Sequence, residues 1–598
     1  MKETAAFHNF REEVAHSLLS AHIPIHVTRY LQYGLIVTLL AAFLYVLSAL
    51  FLSLFEVEVN ILPFLPYGVT VLVGFVAIVG LLLLGIYCYP RLLAEGRRTR
   101  IETDLPHAVT YMQALSSTLT LYEIFRGVYE AGDLYGEVSK ECGIIVRDVE
   151  VFGLDLLTAM RNVMEITPSA NFKELINDLS LVYRSGGNLT TFFNSKSETY
   201  RELARQEQEA LLQILEMIAE IYVTAFVAGP IAIIIIMVAQ NLSGQAPLEG
   251  LMPLMYLGLP LGAICLIFIL YVLLPPDNLD IARREIRETE FGDDILDPAI
   301  GEEPDVGFLK NLESRKRWLR ILEILRNPVA FYISDYTVGA VIGAGLLCAL
   351  FFSYRFGSFV SVFPTFTLEV FLCLAIIVTV IPVMIAYEIR RRYVMKVEEQ
   401  LPAFLAEIAD MRDVGMTLQG AIFMISSSKM GVLSREIKIV AEELRLGSSV
   451  SDALVRMEDR IGLVSVKRAI SLLVRASEVT DYIREILTIA INDLNHYIKM
   501  KTKRLNVSFV YLAVIYLSFG IYLYSAYQLN VAFISSFEAF DVTFDISSNV
   551  QEMLHVGIIL AFFSGIMAGQ LSSNSVLAGL KHVCVMLTAT VILFVYII

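Results

Sequence analysis

The side chains that most often do chemistry are present in this sequence but are not arranged for it. Of the six cysteines, Cys88, Cys265, Cys348, Cys373 and Cys584 lie in or beside apolar runs and Cys142 lies in a polar stretch. No pair has metal-ligand spacing, so the thiols are expected to be small apolar packing groups. The eight histidines are scattered, and H-E-x-x-H, G-x-S-x-G and G-x-x-x-x-G-K-[ST] are all missing. That argues against a zinc protease, a serine hydrolase and a P-loop nucleotide site. Paired carboxylates inside the apolar runs, the mark of proton-coupled pumps and intramembrane proteases, are also missing, and Glu220, Arg355 and Glu369 sit near run ends. The sequence predicts a non-enzyme with no catalytic residue, cofactor, metal or nucleic-acid partner.

Charge is what remains for recognition. Residues 90–217 carry 13 Lys and Arg against 19 Asp and Glu, a balance of −6, whereas residues 388–506 carry 19 against 16, a balance of +3. Two such stretches offer unlike fields to a partner. The basic pool of the second is Arg412, Arg435, Lys438, Arg445, Lys467 and Arg468. Basic flanks beside the membrane supply part of the same excess, so docking and membrane anchoring both explain it.

Hydropathy sets the scaffold that must carry these charges. Hydrophobic residues make up 56% of the chain, gathered in runs long enough to cross a bilayer, which takes ~20 residues of helix. About nine spans are expected, at 30–54, 67–89, 219–239, 251–274, 336–354, 366–387, 507–527, 553–571 and 576–597. Basic residues cluster after the second, fourth and sixth runs and before the seventh, while the opposite loops are acidic or neutral. The positive-inside rule then places the N-terminus and both polar stretches in the cytoplasm and the C-terminus outside. The polar start, with Glu3, Glu12 and Glu13, predicts no cleaved signal peptide.

The organisation is an internal duplication. A cytoplasmic N-terminal segment (1–29) precedes a transmembrane hairpin (30–89), a first helical module (90–217) and a second hairpin (218–274). A linker (275–334) leads to a third hairpin (335–387), a second module (388–505) and three C-terminal spans (506–598). The linker combines an acidic tract at 285–305 with an amphipathic segment at 308–325, suited equally to lie on the inner leaflet or to pack against a cytoplasmic module. Apolar residues spaced by three and four over 109–128 and 403–425 predict amphipathic helices, the second interrupted at Gly415. Further helices are expected near 136–151, 154–163, 172–183 and from 189 onward, giving an all-α polytopic protein with two helical-bundle modules. The proline-free stretches 192–229 and 482–527 predict that the last helix of each module runs unbroken into a span.

Certain residues carry a family likeness. They are Leu105-Pro106 opening the first module, Gly153 with Leu157, and 181–189 with Gly186-Gly187. In the second module they are Leu401-Pro402, Gly415 through Gly420 to Ala421, Gly447 with Leu454, and 473–479 with Ser477-Glu478. The chain resembles the type II secretion system F family, the platform proteins of secretion systems and type IV pilus-like machines. Two modules with about nine spans most resemble the archaeal platforms of archaella and pili. In this likeness Pro106, Gly153, Gly186, Gly187, Pro402, Gly415, Gly420, Gly447 and Glu478 mark tight turns between bundle helices.

The resemblance implies a mechanism as well. A hexameric cytoplasmic secretion ATPase would dock on the modules, with Arg412, Arg435, Lys438, Arg445, Lys467 and Arg468 as candidate contacts. The platform would then lift pilin- or archaellin-like subunits from the membrane into a filament. Membrane lipid and a second copy of the chain, in a homodimer, are the other expected partners. A transporter built from two repeats is the rival class, disfavoured by the large polar domains and the lack of polar residues midway along the spans.

Overall fold

A computed structural model of the chain describes residues 2–54, 67–242, 254–273, 315, 338–355, 368–479, 483–533 and 546–597. The acidic tract at 285–305 lies outside the described residues, as does the amphipathic segment 308–325 apart from Arg315. The described residues are helical, with no strand among them. Among the described residues, eight helices are long and apolar enough to cross a membrane: Val27–Leu47, Leu189–Ile233, Met255–Leu273, Val338–Arg355, Leu368–Asp413, Arg484–Val531, Val550–Ser573 and Val576–Ile597. The other expected span, 67–89, is helical as the start of Tyr67–Leu115, and some of its side chains lie outside the described residues. The two C-terminal runs are separate helices.

Each module is built from the same six elements in the same order. In the first these are α3 (Tyr67–Leu115), α4 (Leu121–Glu130), α5 (Gly132–Glu150), α6 (Leu156–Ile166), α7 (Ala170–Ser185) and α8 (Leu189–Val223), which follow α1 (Lys2–Ser20) and α2 (Val27–Leu54). α9 (Gly229–Leu242), α10 (Leu259–Leu273) and α11 (Val338–Arg355) come next. The second module comprises α12 (Leu368–Asp413), α13 (Leu418–Ser426), α14 (Leu433–Arg445), α15 (Val450–Ile461), α16 (Val464–Val479) and α17 (Ile483–Tyr527). α18 (Ile546–Ser573) and α19 (Val576–Ile592) close the chain.

Local chemistry explains the breaks. Thr120 caps α4 with its hydroxyl accepting from Glu123 N at 3.4 Å, while the Glu123 carboxylate takes the Thr120 amide at 2.9 Å. This reciprocal capping box splits the single stripe expected over 109–128 into two helices. Thr417 caps α13, Asp155 caps α6 and Ser449 caps α15, each side chain accepting the amide three residues on. Gly186, Gly415 and Gly447 stand at φ 67, 85 and 93°, where L side chains are strained. At each one the next residue's amide returns to the helix: Gly187 to Val182 O at 2.9 Å, Met416 to Met411 O at 3.1 Å and Ser448 to Glu443 O at 3.1 Å. That is the Schellman ending, which satisfies carbonyls a helix terminus would otherwise leave bare.

The helices joining modules to spans are unbroken. α12 and α17 run for 46 and 45 residues, and α3 for 49. α8 passes through a π-helical turn at Thr224–Ala228 into α9. At about 1.5 Å per residue a 45-residue helix is roughly 70 Å long.

Two compact units result, one of Met1–Leu203 with Glu478–Ala490 and the other of Ala204–Ser477 with Ile491–Ile598. In the first, Leu105, Met112, Leu115, Phe125, Phe172 and Phe193 are buried at the module's centre. In the second, Leu401, Phe404, Ile422, Ile437, Leu454 and Leu473 occupy the corresponding places. Its apolar helices share a core of Tyr222, Phe226, Phe519, Tyr522, Leu560 and Leu587, with Tyr222 and Phe226 stacked at 5.3 Å. Tyr222 and Ser564 hydroxyls meet there, and Tyr522 donates to Met553 O at 2.7 Å. α18 and α19 touch so closely that a Cβ on Gly569 would collide with the Gly579 backbone.

Candidate functional site

The Leu-Pro pairs do not open the modules. Pro106 lies inside α3 and Pro402 inside α12, so neither is a turn. Each ring instead removes the helical donor for the carbonyl four residues earlier, that of Glu102 or Glu398. Two other expected turn residues are also helical. Gly420 stands in the first turn of α13, its amide donating to Thr417 Oγ1 at 3.1 Å, and Glu478 lies in the last turn of α16. Gly153, at φ 66°, stands in the connection before α6.

Around each proline the structure assembles a site that the sequence patterns did not single out. Glu102 and Glu398 both stand four residues before the proline. Ser169 Oγ, which also caps α7, donates to Glu102 Oε1 at 3.3 Å. In the second module Ser465 Oγ donates to Glu398 Oε1 at 3.4 Å. Two residues before each proline, Asp104 and Gln400 face a left-handed glycine. A Cβ on Gly136 would meet Asp104 Oδ2 at 3.2 Å. Gln400 Oε1 accepts the amides of Val432 at 2.9 Å and Leu433 at 3.3 Å, just past Gly431. A pattern E-x-[DQ]-L-P thus ties the incoming helix of each module to two later helices. Aligning the two copies on Leu-Pro would have exposed it.

The partners of the two glutamates differ. Glu102 takes Arg98 of its own helix at 3.0 Å, a half-exposed i,i+4 pair. Glu398 takes Lys501 of α17 at 2.8 Å, with side chains only 18% and 10% exposed.

A second cluster belongs to the first module. Arg97, buried in α3, donates to Glu137 Oε2 at 2.8 Å, to Glu141 Oε1 at 2.6 Å and to the Ser20 carbonyl at the end of α1. Val14 and Leu18 of α1 are buried as well. Burial opposes charge on Glu137, but hydrogen bonds from Lys140 and Arg97 outweigh it and hold the carboxyl down at about 2. Glu141 goes the other way: burial raises its carboxyl despite Arg97. Burial likewise lowers His22, with Arg97 adding to the effect, and pushes the Cys142 thiol up.

The six basic candidates separate into groups. Arg435 and Lys438 are exposed on one face of α14 and make no ion pair with a described residue. Arg445 is exposed but paired with Glu442 at 3.0 Å. Arg468 is half-buried. Arg412 is half-buried and donates to Met416 O at 3.1 Å, closing the Gly415 turn rather than facing outward. Lys467 is 3% exposed with its ammonium 3.6 Å from Asp459, so burial removes it from any docking surface. The neighbouring Arg456 and Arg460 are held by Glu436 and Glu443 at 2.8–2.9 Å. The unpaired positive charge of this face is therefore Arg435 and Lys438, with exposed Lys429 close in sequence. Among the described residues no group of three or more His, Cys, Asp or Glu is placed to hold a metal.

Comparison with known proteins agrees with the repeated architecture. The profile of the family described as type II secretion system (T2SS), protein F, matches residues 112–237 and again 404–525. An uncharacterized protein of Methanocaldococcus jannaschii is 26% identical over 523 residues, covering 85% of this chain and 81% of that protein. Flagella accessory protein J of the same organism is 25% identical over 138 residues, 23% of this chain and 25% of its own length. No solved structure matches. Two regions that match one domain, in a chain with apolar helices long enough to cross a membrane, make this a membrane protein that carries a type II secretion system F domain twice.

Proposed function

We propose that the chain is the platform protein of a type IV pilus-like assembly machine. A cytoplasmic secretion ATPase docks on its modules, and the motion is passed to pilin- or archaellin-like subunits entering a filament. The observation that carries this reading is the pair of long helices, α12 and α17, that enter and leave the second module without a break. A helix uninterrupted from a polar bundle to an apolar span transmits displacement, which a rigid anchor or a substrate-binding transporter does not require. The partial likeness to a flagella accessory protein is consistent with an archaellum-like or pilus-like system. In this reading the modules and the N-terminus are cytoplasmic and the C-terminus is outside. Lipid surrounds the spans, and a homodimer presents four modules to the ATPase.

Deletion of the gene in its host, with filaments counted by microscopy and pilin-like subunits followed by immunoblot, tests the reading. Subunits are expected to remain in the membrane unassembled, with filaments restored by the full chain. Normal filaments in the deletion strain rule the platform role out. Cysteine labelling in intact cells is expected to reach Glu538→Cys and Gln245→Cys from outside, and Gln208→Cys and Asp493→Cys only after permeabilisation.

A further inference from the structure

One turn of α17, Met500 to Lys503, touches two other long helices at once. Gln208 of α8 donates its Nε2 to the Met500 carbonyl at 3.0 Å. Lys501 reaches Glu398 of α12 at 2.8 Å and lies 5.7 Å from the Tyr497 ring centroid. Lys503 donates to Glu209 of α8 at 2.7 Å, and Glu209 also holds Arg205 of its own helix at 3.0 Å. The three contacts fall within four residues, immediately before the apolar stretch of α17 begins. The two contacts to α8 come from positions three apart, which share one side of α17, while Lys501 between them turns to α12.

We infer that this turn is a mechanical junction, joining the outgoing helices of both modules and the incoming helix of the second into one transmission element at the base of the membrane segment. Two helices tied at a single level cannot slide or rotate independently there, so displacement of α8 is imposed on α17. Lys501 sets the attachment to α12, because its pair with Glu398 is largely shielded from water. Lys503 and Gln208 set the attachment to α8, through a half-exposed ion pair and a carbonyl bond, which are weaker and exchangeable. That grading makes α17 a firm part of the second module and α8 a detachable partner. The consequence for filament assembly rests on the platform reading, but the junction itself does not.

Hydrogen exchange on the full chain in lipid nanodiscs measures the junction without reference to filaments. In Lys503→Glu, amides of 204–216 and 498–506 are expected to exchange about two- to fivefold faster, the size of a half-exposed pair. In Lys501→Met, the increase is expected to reach about 100-fold and to extend to residues near Glu398, whose charge loses its partner. The charge swap Glu209→Lys with Lys503→Glu is expected to return 204–216 to wild-type exchange. If Lys503→Glu does not accumulate, recovery of abundance by the swap reports the same pairing. Unchanged exchange at 204–216 in Lys503→Glu, or a swap that restores neither exchange nor abundance, overturns the junction. Filament counts for the same variants form a separate arm: loosened exchange with normal filaments rejects the platform consequence and leaves the junction standing.

Discussion

Lys501 Nζ stands 2.8 Å from Glu398 Oε2, 103 residues away along the chain. The equivalent carboxylate of the first module, Glu102, takes an arginine from its own helix instead. One duplicated glutamate therefore does two jobs. In the first module it stays with local helix and serine contacts, and in the second it binds the helix that enters the membrane.

That difference predicts unequal sensitivity. Glu398→Ala leaves Lys501 as a poorly solvated charge without its partner and is expected to cost about 3 kcal/mol. Glu102→Ala releases an Arg98 that water can reach and is expected to cost about 1 kcal/mol or less. Thermal unfolding of both variants in detergent checks the order, and equal losses contradict it.

Of the six basic candidates, Arg435 and Lys438 of α14 are exposed and make no ion pair with a described residue. Reversal of Arg435 and Lys438 to Glu is expected to weaken ATPase binding about tenfold at low salt, with the difference fading as salt screens exposed charge. Lys467→Glu should instead lower abundance in the membrane, since it replaces the buried ammonium that stands 3.6 Å from Asp459 with a second carboxylate. Pull-down of the ATPase by the full chain at two salt concentrations, beside an abundance blot, separates the two effects. Binding indifferent to salt and to the double reversal removes electrostatics from the interface.

Stiffness of α17 is testable by a single residue. Ile498→Pro removes one helix hydrogen bond and clashes with the preceding turn, costing ~3 kcal/mol. Ile498→Ala loses only side-chain contacts. Both proteins are expected in the membrane, with filaments absent for the proline variant and near normal for the alanine variant. Normal filaments from the proline variant at normal abundance show that no stiff connection is needed there.

Acid sensitivity should trace to Glu137. Its folded-state carboxyl sits at about 2, below the ordinary 4.5, so its stabilising effect is complete above about 4.5 and fades as pH falls toward 2. The thermal-stability gap between wild type and Glu137→Gln is therefore expected to be widest at neutral pH and to narrow below 4.5. Glu141, whose carboxyl is raised by burial despite Arg97, works in the opposite sense. A gap that stays constant from pH 7 to pH 3 places the stabilisation elsewhere.

What could be read from the sequence was whatever repeats over short distances. Hydropathy runs marked the spans, since a bilayer demands uninterrupted apolar length whatever the fold around it. Three-and-four spacing marked the bundle helices, and the echo of Leu105-Pro106 in Leu401-Pro402 marked the duplication. Gly186, Gly415 and Gly447 were legible because a left-handed helix ending is a local backbone requirement. Tertiary structure decided the rest. Thr120 with Glu123 broke a stripe that periodicity alone carried through. Pro106 and Pro402 lie inside long helices, each leaving one helix carbonyl without its donor. Lys467 was removed from the docking surface, and Lys501 was assigned to Glu398 rather than to a membrane flank. Burial and the choice of charge partner depend on residues far apart in the chain, which no window on the sequence brings together.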